Sequence, residues 1–146
     1  MGNQADVMLR LENQLCFAVH SAAHAFARAY KPLLDPLDLT YPQYLVLLRL
    51  WEHDGQTISE LGAPLFLDSG TLTPLLKRME KAGLVSRNRD KNDERQVRVV
   101  LTEKGDALRV RARGFPHAMG CLTGLDEGQA LSLRNALTGV GASLRR

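Results

Sequence analysis

Residues 68–105 read DSGTLTPLLKRMEKAGLVSRNRDKNDERQVRVVLTEKG, and this stretch decides the fold. Leu72, Leu75, Leu76 and Met79 recur at helical spacing, so one face of a helix is buried. The other face carries Ser69, Thr71, Thr73, Lys77, Arg78 and Lys81. Ser69 and Thr71 are cap-type residues whose hydroxyls can accept the orphan amides of a first helical turn. Gly83 stands where a helix ends in a left-handed residue. Leu84-Val85 and Val97–Leu101 are short β-prone runs around a charged tip, Arg89–Arg95.

A helix with a hydroxyl-rich start and a basic outer face, followed by a basic ribbon, is the layout of a winged helix-turn-helix. Such a helix can enter the major groove while the ribbon reaches an adjacent minor groove. The stretch therefore predicts binding to double-stranded DNA. Charge agrees: from Ser69 to Lys104 there are nine lysines and arginines against five acids, an excess larger than the +3 of the whole chain. Ser69, Thr71 and Thr73 can reach phosphates or base edges, whereas Lys77 and Arg78 suit positioning contacts, with Arg87 in the same basic set. At the tip, Asp93 is expected to orient the Arg95 guanidinium into the minor groove, where negative potential is concentrated.

Outward from this segment the pattern is helical. Leu11, Leu15, Val19, Ala22, Phe26 and Tyr30 predict a long helix over 9–31 that Pro32 ends. A connector around Pro36 leads to a helix from Pro42 to His53, with Asp54-Gly55 as its stop. Thr57 and Glu60 form a capping-box pattern for a short helix toward Leu65. After the ribbon, Thr102 caps another helix, weakened by Gly114, Pro116 and Gly120. Asp126 caps a last one through Leu131, Leu133, Leu137 and Val140. The fold class is thus mainly α with a small β-hairpin: one domain over 1–146, with a winged helix-turn-helix over 42–105. The end segments, 1–33 and 106–146, are too apolar for solvent; they either cover the central core or, in the preferred reading, serve as dimerisation helices. A two-fold homodimer doubles the short site that one helix reads, which matches an inverted-repeat operator.

Composition narrows the class. Apolar residues are 45% and charged residues 24% of the chain, ordinary for a folded globular protein. No apolar run approaches the ~20 residues that span a bilayer. MGNQADVMLRLEN lacks the pattern of a secretory signal, so a cytoplasmic location is expected, with Cys16 and Cys121 kept reduced.

The segments L-T-P-L-L-K-R-M-E-K-A-G-L-V and D-E-R-Q-V-R-V-V-L-T-E-K-G resemble the MarR family of bacterial transcriptional regulators. L-D-S-G-T-L-T-P-L-L-K-R-M-E, with Cys16 in the first helix, resembles its OhrR branch of organic-hydroperoxide-sensing repressors. The resemblance implies a homodimer on an inverted repeat that lets go when a cysteine is oxidised by an organic hydroperoxide. It implies that Cys16 is the reactive thiol, that Tyr30 and Tyr41 donate phenolic hydrogen bonds to its sulfur, and that Cys121 resolves the sulfenic acid as a disulfide between subunits.

On the residues alone, Cys16 is better read as a small core hydrophobe, Cys121 can be read the same way, and the tyrosines can be read as amphipathic packing. His20 and His24 follow Cys16 at i+4 steps, yet lack the compact cluster of a zinc motif, so neither metal nor cofactor is expected. Two other functions stay open. One is a MarR-type regulator answering a small aromatic ligand. The other is an enzyme using Cys16 as nucleophile, for which the sequence offers no G-x-S-x-G, phosphate loop or paired-carboxylate motif.

Overall fold

The computed structural model describes residues 4–146. Residues 1–3, where the first expected dimerisation segment begins, lie outside the described residues. The chain forms two compact units, Met1–Arg109 and Val110–Arg146.

The expected mainly α fold with a small β element is borne out as a winged helix. In the first unit, α1 (Gln4–Met8) and a single 3-10 turn (Leu11–Asn13) precede α2 (Leu15–Leu34), α3 (Tyr41–Glu52), β1 (Gln56–Thr57), α4 (Ile58–Leu65), α5 (Ser69–Lys81), β2 (Val85–Arg89) and β3 (Val97–Leu101). Helix α6 (Glu103–Ala112) crosses the boundary between units, and α7 (Phe115–Thr123) and α8 (Glu127–Leu144) complete the second.

Two helix boundaries differ from expectation. The single helix over 9–31 is broken because Arg10 and Gln14 are extended, with ψ of 138° and 114°. Side-chain amides satisfy the freed carbonyls: Asn13 Nδ2 donates to Val7 O at 2.7 Å and Gln14 Nε2 to Met8 O at 2.6 Å. The break makes Cys16 a first-turn residue of α2. At the other end Pro32 does not stop the helix, which runs to Leu34. Proline removes one ladder bond, but Leu34 beyond it is only 2% exposed, and that burial favours the extra turn.

The reading segment follows the sequence closely. Leu72, Leu75, Leu76 and Met79 are all buried, together with Leu47, Leu50 and Leu61 from α3 and α4. The cap of α5 is Asp68 rather than Ser69 or Thr71: its Oδ1 accepts the Thr71 amide at 2.7 Å. A carboxylate there also complements the helix dipole. The capping box of Thr57 and Glu60 is present, and so is Asp126 as cap of α8. Gly83 has φ of +77°, the left-handed stop that side chains resist.

The ribbon gains a third strand that the sequence reading missed. The sheet order is β1-β3-β2, all antiparallel, with Val85 opposite Leu101, Arg89 opposite Val97 and Gln56 opposite Val99. Strand β1 is two residues long, too short to leave an alternating pattern in sequence.

Candidate nucleic-acid interface and thiol sites

On α5 the burial of the leucine face leaves Ser69, Thr71, Lys77 and Arg78 exposed and Thr73 half-buried, so the helix presents the predicted set to one side. Arg87 is committed elsewhere. Its backbone amide and guanidinium both bind Glu80, at 2.9 and 3.1 Å, which braces β2 against α5. These bonds, the backbone amide foremost, hold the Glu80 carboxyl below the usual carboxylate range.

At the wing tip the Asp93 carboxylate accepts the Arg95 backbone amide at 3.1 Å and its Nε at 3.3 Å. The Arg95 side chain remains 92% exposed, so the pair presents the guanidinium to solvent. Sequence reasoning missed the anchor beneath it. Asp90 is buried, and its Oδ1 accepts the Asn92 and Asp93 amides at 2.7 and 3.0 Å. Its other oxygen binds Arg98 Nε, while Arg98 Nη1 donates to the Gly55 carbonyl at 2.7 Å. The wing is thereby tied to the turn before β1. The Asn92 amide, then Arg98, lower the Asp90 carboxyl from its ordinary value. The signal for this contact is split across Gly55, Asp90 and Arg98, and local spacing does not reveal it.

Cys16 and Cys121 are both free and exposed thiols, not core residues. Cys121 Sγ lies 3.7 Å from His117 Nε2 beside a groove of about 650 Å³ that also includes Leu125, Leu131 and Arg134. Tyr30 and Tyr41 do come together, with ring centroids 5.0 Å apart, and Tyr44 joins them at 5.5 Å from Tyr30. Burial first, then the neighbouring phenols, push the Tyr30 hydroxyl up to about 12, and burial also raises Tyr41 and Tyr44. All three are therefore protonated donors at neutral pH. Within one chain they are far from Cys16: Tyr30 lies fourteen positions further along α2, a rise of about 21 Å.

The His20 and His24 rings lie 4.5 Å apart on the exposed side of α2. Among the described residues, no group of three or more histidine, cysteine or acidic side chains is placed to hold a metal. No described helix is long and apolar enough to cross a membrane.

A basic helix with exposed hydroxyls, flanked by a pinned wing with an outward arginine, defines a winged-helix, DNA-binding transcriptional regulator. The family model for the transcriptional regulator SarA/Rot matches residues 28–109. The organic hydroperoxide resistance transcriptional regulator of Bacillus subtilis is 50% identical over 127 residues, covering 87% of this chain and 84% of that protein. The HTH-type transcriptional regulator TtmR of Methylorubrum extorquens is 59% identical over 83% of this chain, and the match spans 63% of TtmR. Among solved structures, reduced AbfR bound to DNA is 34% identical with a TM-score of 0.77, covering 98% of this chain and all of that one. AbfR is a Staphylococcus epidermidis protein. The chain belongs to the MarR family of transcriptional regulators and is OhrR-like within it.

Proposed function

We propose that this regulator is a homodimeric repressor that holds an inverted-repeat operator while Cys16 is reduced and releases it when an organic hydroperoxide oxidises that thiol. The observation that carries the reading is the placement of Cys16: an exposed thiol in the first turn of a 20-residue helix. An oxidant in solution reaches an exposed thiol directly, and a thiolate is the form that attacks peroxide. The phenols at the far end of α2 are too distant to serve the thiol of their own chain, so they serve that of a second copy. Exposed Leu15, Val19 and Phe26 on the same helix supply an apolar surface for that copy, and the hydroperoxide-regulator name of the Bacillus relative supports the inducer.

In this reading residues 42–105 contact DNA through Ser69, Thr71, Thr73, Lys77, Arg78 and Arg95, with Asp93 aiming Arg95 and Arg87 bracing the ribbon. Segments 1–33 and 106–146 pair the subunits. The protein acts beside its DNA in the cytoplasm. The thiolate attacks the peroxide oxygen, leaving a sulfenic acid and an alcohol. Cys121 then attacks that sulfur, forms a disulfide and releases water.

Gel shift before and after organic hydroperoxide, with and without dithiothreitol, tests the scheme. Wild type should lose the operator and regain it on reduction. Cys16→Ser should bind but ignore peroxide. Cys121→Ser should begin to respond and drift to an oxidised form that dithiothreitol does not restore. A Cys16→Ser protein that releases DNA as readily as wild type removes Cys16 as the sensor, and a small aromatic inducer becomes the better reading.

A further inference from the structure

Trp51 is the one tryptophan of the chain, in the last turn of α3. Its indole N–H donates to the Gly105 carbonyl at 3.1 Å, across 54 positions of sequence. Its ring meets Tyr44 edge-on, with centroids 6.4 Å apart and planes at 68°. Tyr44 in turn shares a hydroxyl hydrogen bond with Tyr30 of α2. One side of Trp51 is therefore in contact with the phenol cluster.

The other side reaches the root of the reading helix. A Cβ on Gly105 would lie 2.1 Å from the Leu84 carbonyl oxygen and 3.2 Å from Leu101 Cδ2, so only glycine lets α6 press this closely on the chain leaving α5. Neighbouring residues complete the clamp. The Thr102 amide donates to Leu84 O at 3.1 Å, the Thr102 hydroxyl to Gly83 O at 2.6 Å and Lys104 Nζ to Ala82 O at 2.9 Å. The three carbonyls that follow α5 are all held by residues 102–104, and the next residue is held by Trp51.

We infer that Trp51 is a positioning residue that transmits the state of the phenol cluster to the C-terminal stop of the reading helix through the Gly105 carbonyl. The inference rests on the hydroperoxide reading above. When the phenols rearrange around an oxidised thiol, Tyr44 shifts against the indole, and the indole carries the first turn of α6 with it. The clamp over residues 82–84 then moves, and with it the angle at which α5 meets the groove. Shared contact alone does not establish coupling; a variant that separates sensing from release does.

Trp51→Phe keeps an aromatic ring against Tyr44 and removes the donor. Gly105 stays in the first turn of α6, where its carbonyl also serves the helical ladder, so the loss leaves no orphan acceptor. Reduced Trp51→Phe should fold and bind the operator like wild type, and a sulfenic-acid trap should label its Cys16 at the wild-type rate. Its peroxide-induced loss of affinity should shrink by roughly fivefold or more, the size of an ordinary allosteric coupling. In wild type, the emission of the sole tryptophan should change on oxidation in the absence of DNA, a readout that holds even where a variant folds badly.

Equal release by wild type and Trp51→Phe overturns the inference and leaves the sensor reading intact. Equal weakening of the reduced complex makes Trp51 a strut of the reading head, and slower labelling of Cys16 makes it part of the sensor; either outcome overturns transmission. Emission unchanged by oxidation does the same. A wild type that holds its operator through peroxide overturns both readings.

Discussion

The reading head and the helices that flank it are built from similar residues used in opposite ways. From α3 to β3 the core leucines are sealed: Leu47, Leu61, Leu72 and Leu76 show no exposed surface, and Leu48 alone among the head's leucines is exposed. On α2 and α8 the same kind of side chain faces outward, with Leu15 at 66%, Leu131 at 48% and Leu137 at 43% exposure. No described residue of α8 is buried. A head complete within one chain and flanking helices with unspent apolar faces teach that the folding unit and the working unit differ. The first closes on itself; the second, in the proposed dimer, requires another copy.

The sharpest way to break this contrast is a matched pair of substitutions. Leu76→Ala should destabilise the protein by about 2–5 kcal/mol, because it empties a fully packed site. Leu137→Ala, made at an outward position, should leave the denaturation midpoint of dilute protein nearly unchanged, within about 0.5 kcal/mol. Comparable losses in urea titrations would show that α8 is packed within its own chain. Next in size is Phe26→Asp on α2. It should yield a folded monomer by sedimentation, and operator affinity should fall as the two half-sites lose their link. A Phe26→Asp protein that stays dimeric would move the subunit contact off this face.

The contrast also explains what sequence reading could deliver. In the head, periodicity and caps coincide with burial, so α5, its stop at Gly83 and the Thr57 capping box were legible. The wing pair Asp93–Arg95 was legible too, since both partners are two residues apart. The break before Leu15 was not, because it rests on Asn13 and Gln14 amides folding back onto carbonyls six residues earlier. Pro32 misled because tertiary burial of Leu34 outweighs a local penalty. Asp90–Arg98 and Trp51–Gly105 are contacts between distant positions, and no local pattern encodes them. Periodicity alone predicted an apolar stripe on α2 without saying whether its own chain would cover it.

A smaller effect separates the wing from the helix it accompanies. Arg95→Ala removes an exposed guanidinium and no internal packing, so the fold should be untouched. Operator affinity should drop by roughly 1–3 kcal/mol, and the salt dependence should flatten by about one unit of slope for each arm lost. Arg98→Ala should act differently, by loosening the Asp90 anchor so that Arg95 is present but poorly aimed. Fluorescence anisotropy across a salt series distinguishes them: Arg98→Ala should lose affinity with less change in slope. Unchanged affinity and slope in Arg95→Ala would take the wing tip out of the interface.

The smallest effect is silent at neutral pH and lies at the seam between the two regions, where Tyr30 of α2 meets Tyr41 and Tyr44 of α3. Burial and mutual repulsion of phenolates raise the Tyr30 hydroxyl from 10.0 to about 12 in the folded protein. An acid whose folded value lies above its unfolded one favours folding fully below the unfolded value. That contribution is lost as pH rises through the interval between them, here from about 10 upward. Stability should therefore be flat in this respect through neutral pH and decline above pH ~10. Tyr44→Phe removes one phenolate and the hydrogen bond that keeps the Tyr30 proton in place, so both changes ease Tyr30 ionisation. Tyrosinate absorbance during alkaline titration gives the measurement: native wild type should ionise late, and Tyr44→Phe should bring Tyr30 down toward the ordinary range. Three tyrosines ionising together near pH 10 in the folded wild type would mean that the seam is open to water, and that the flanking helix meets the head less closely than the ring distances place it.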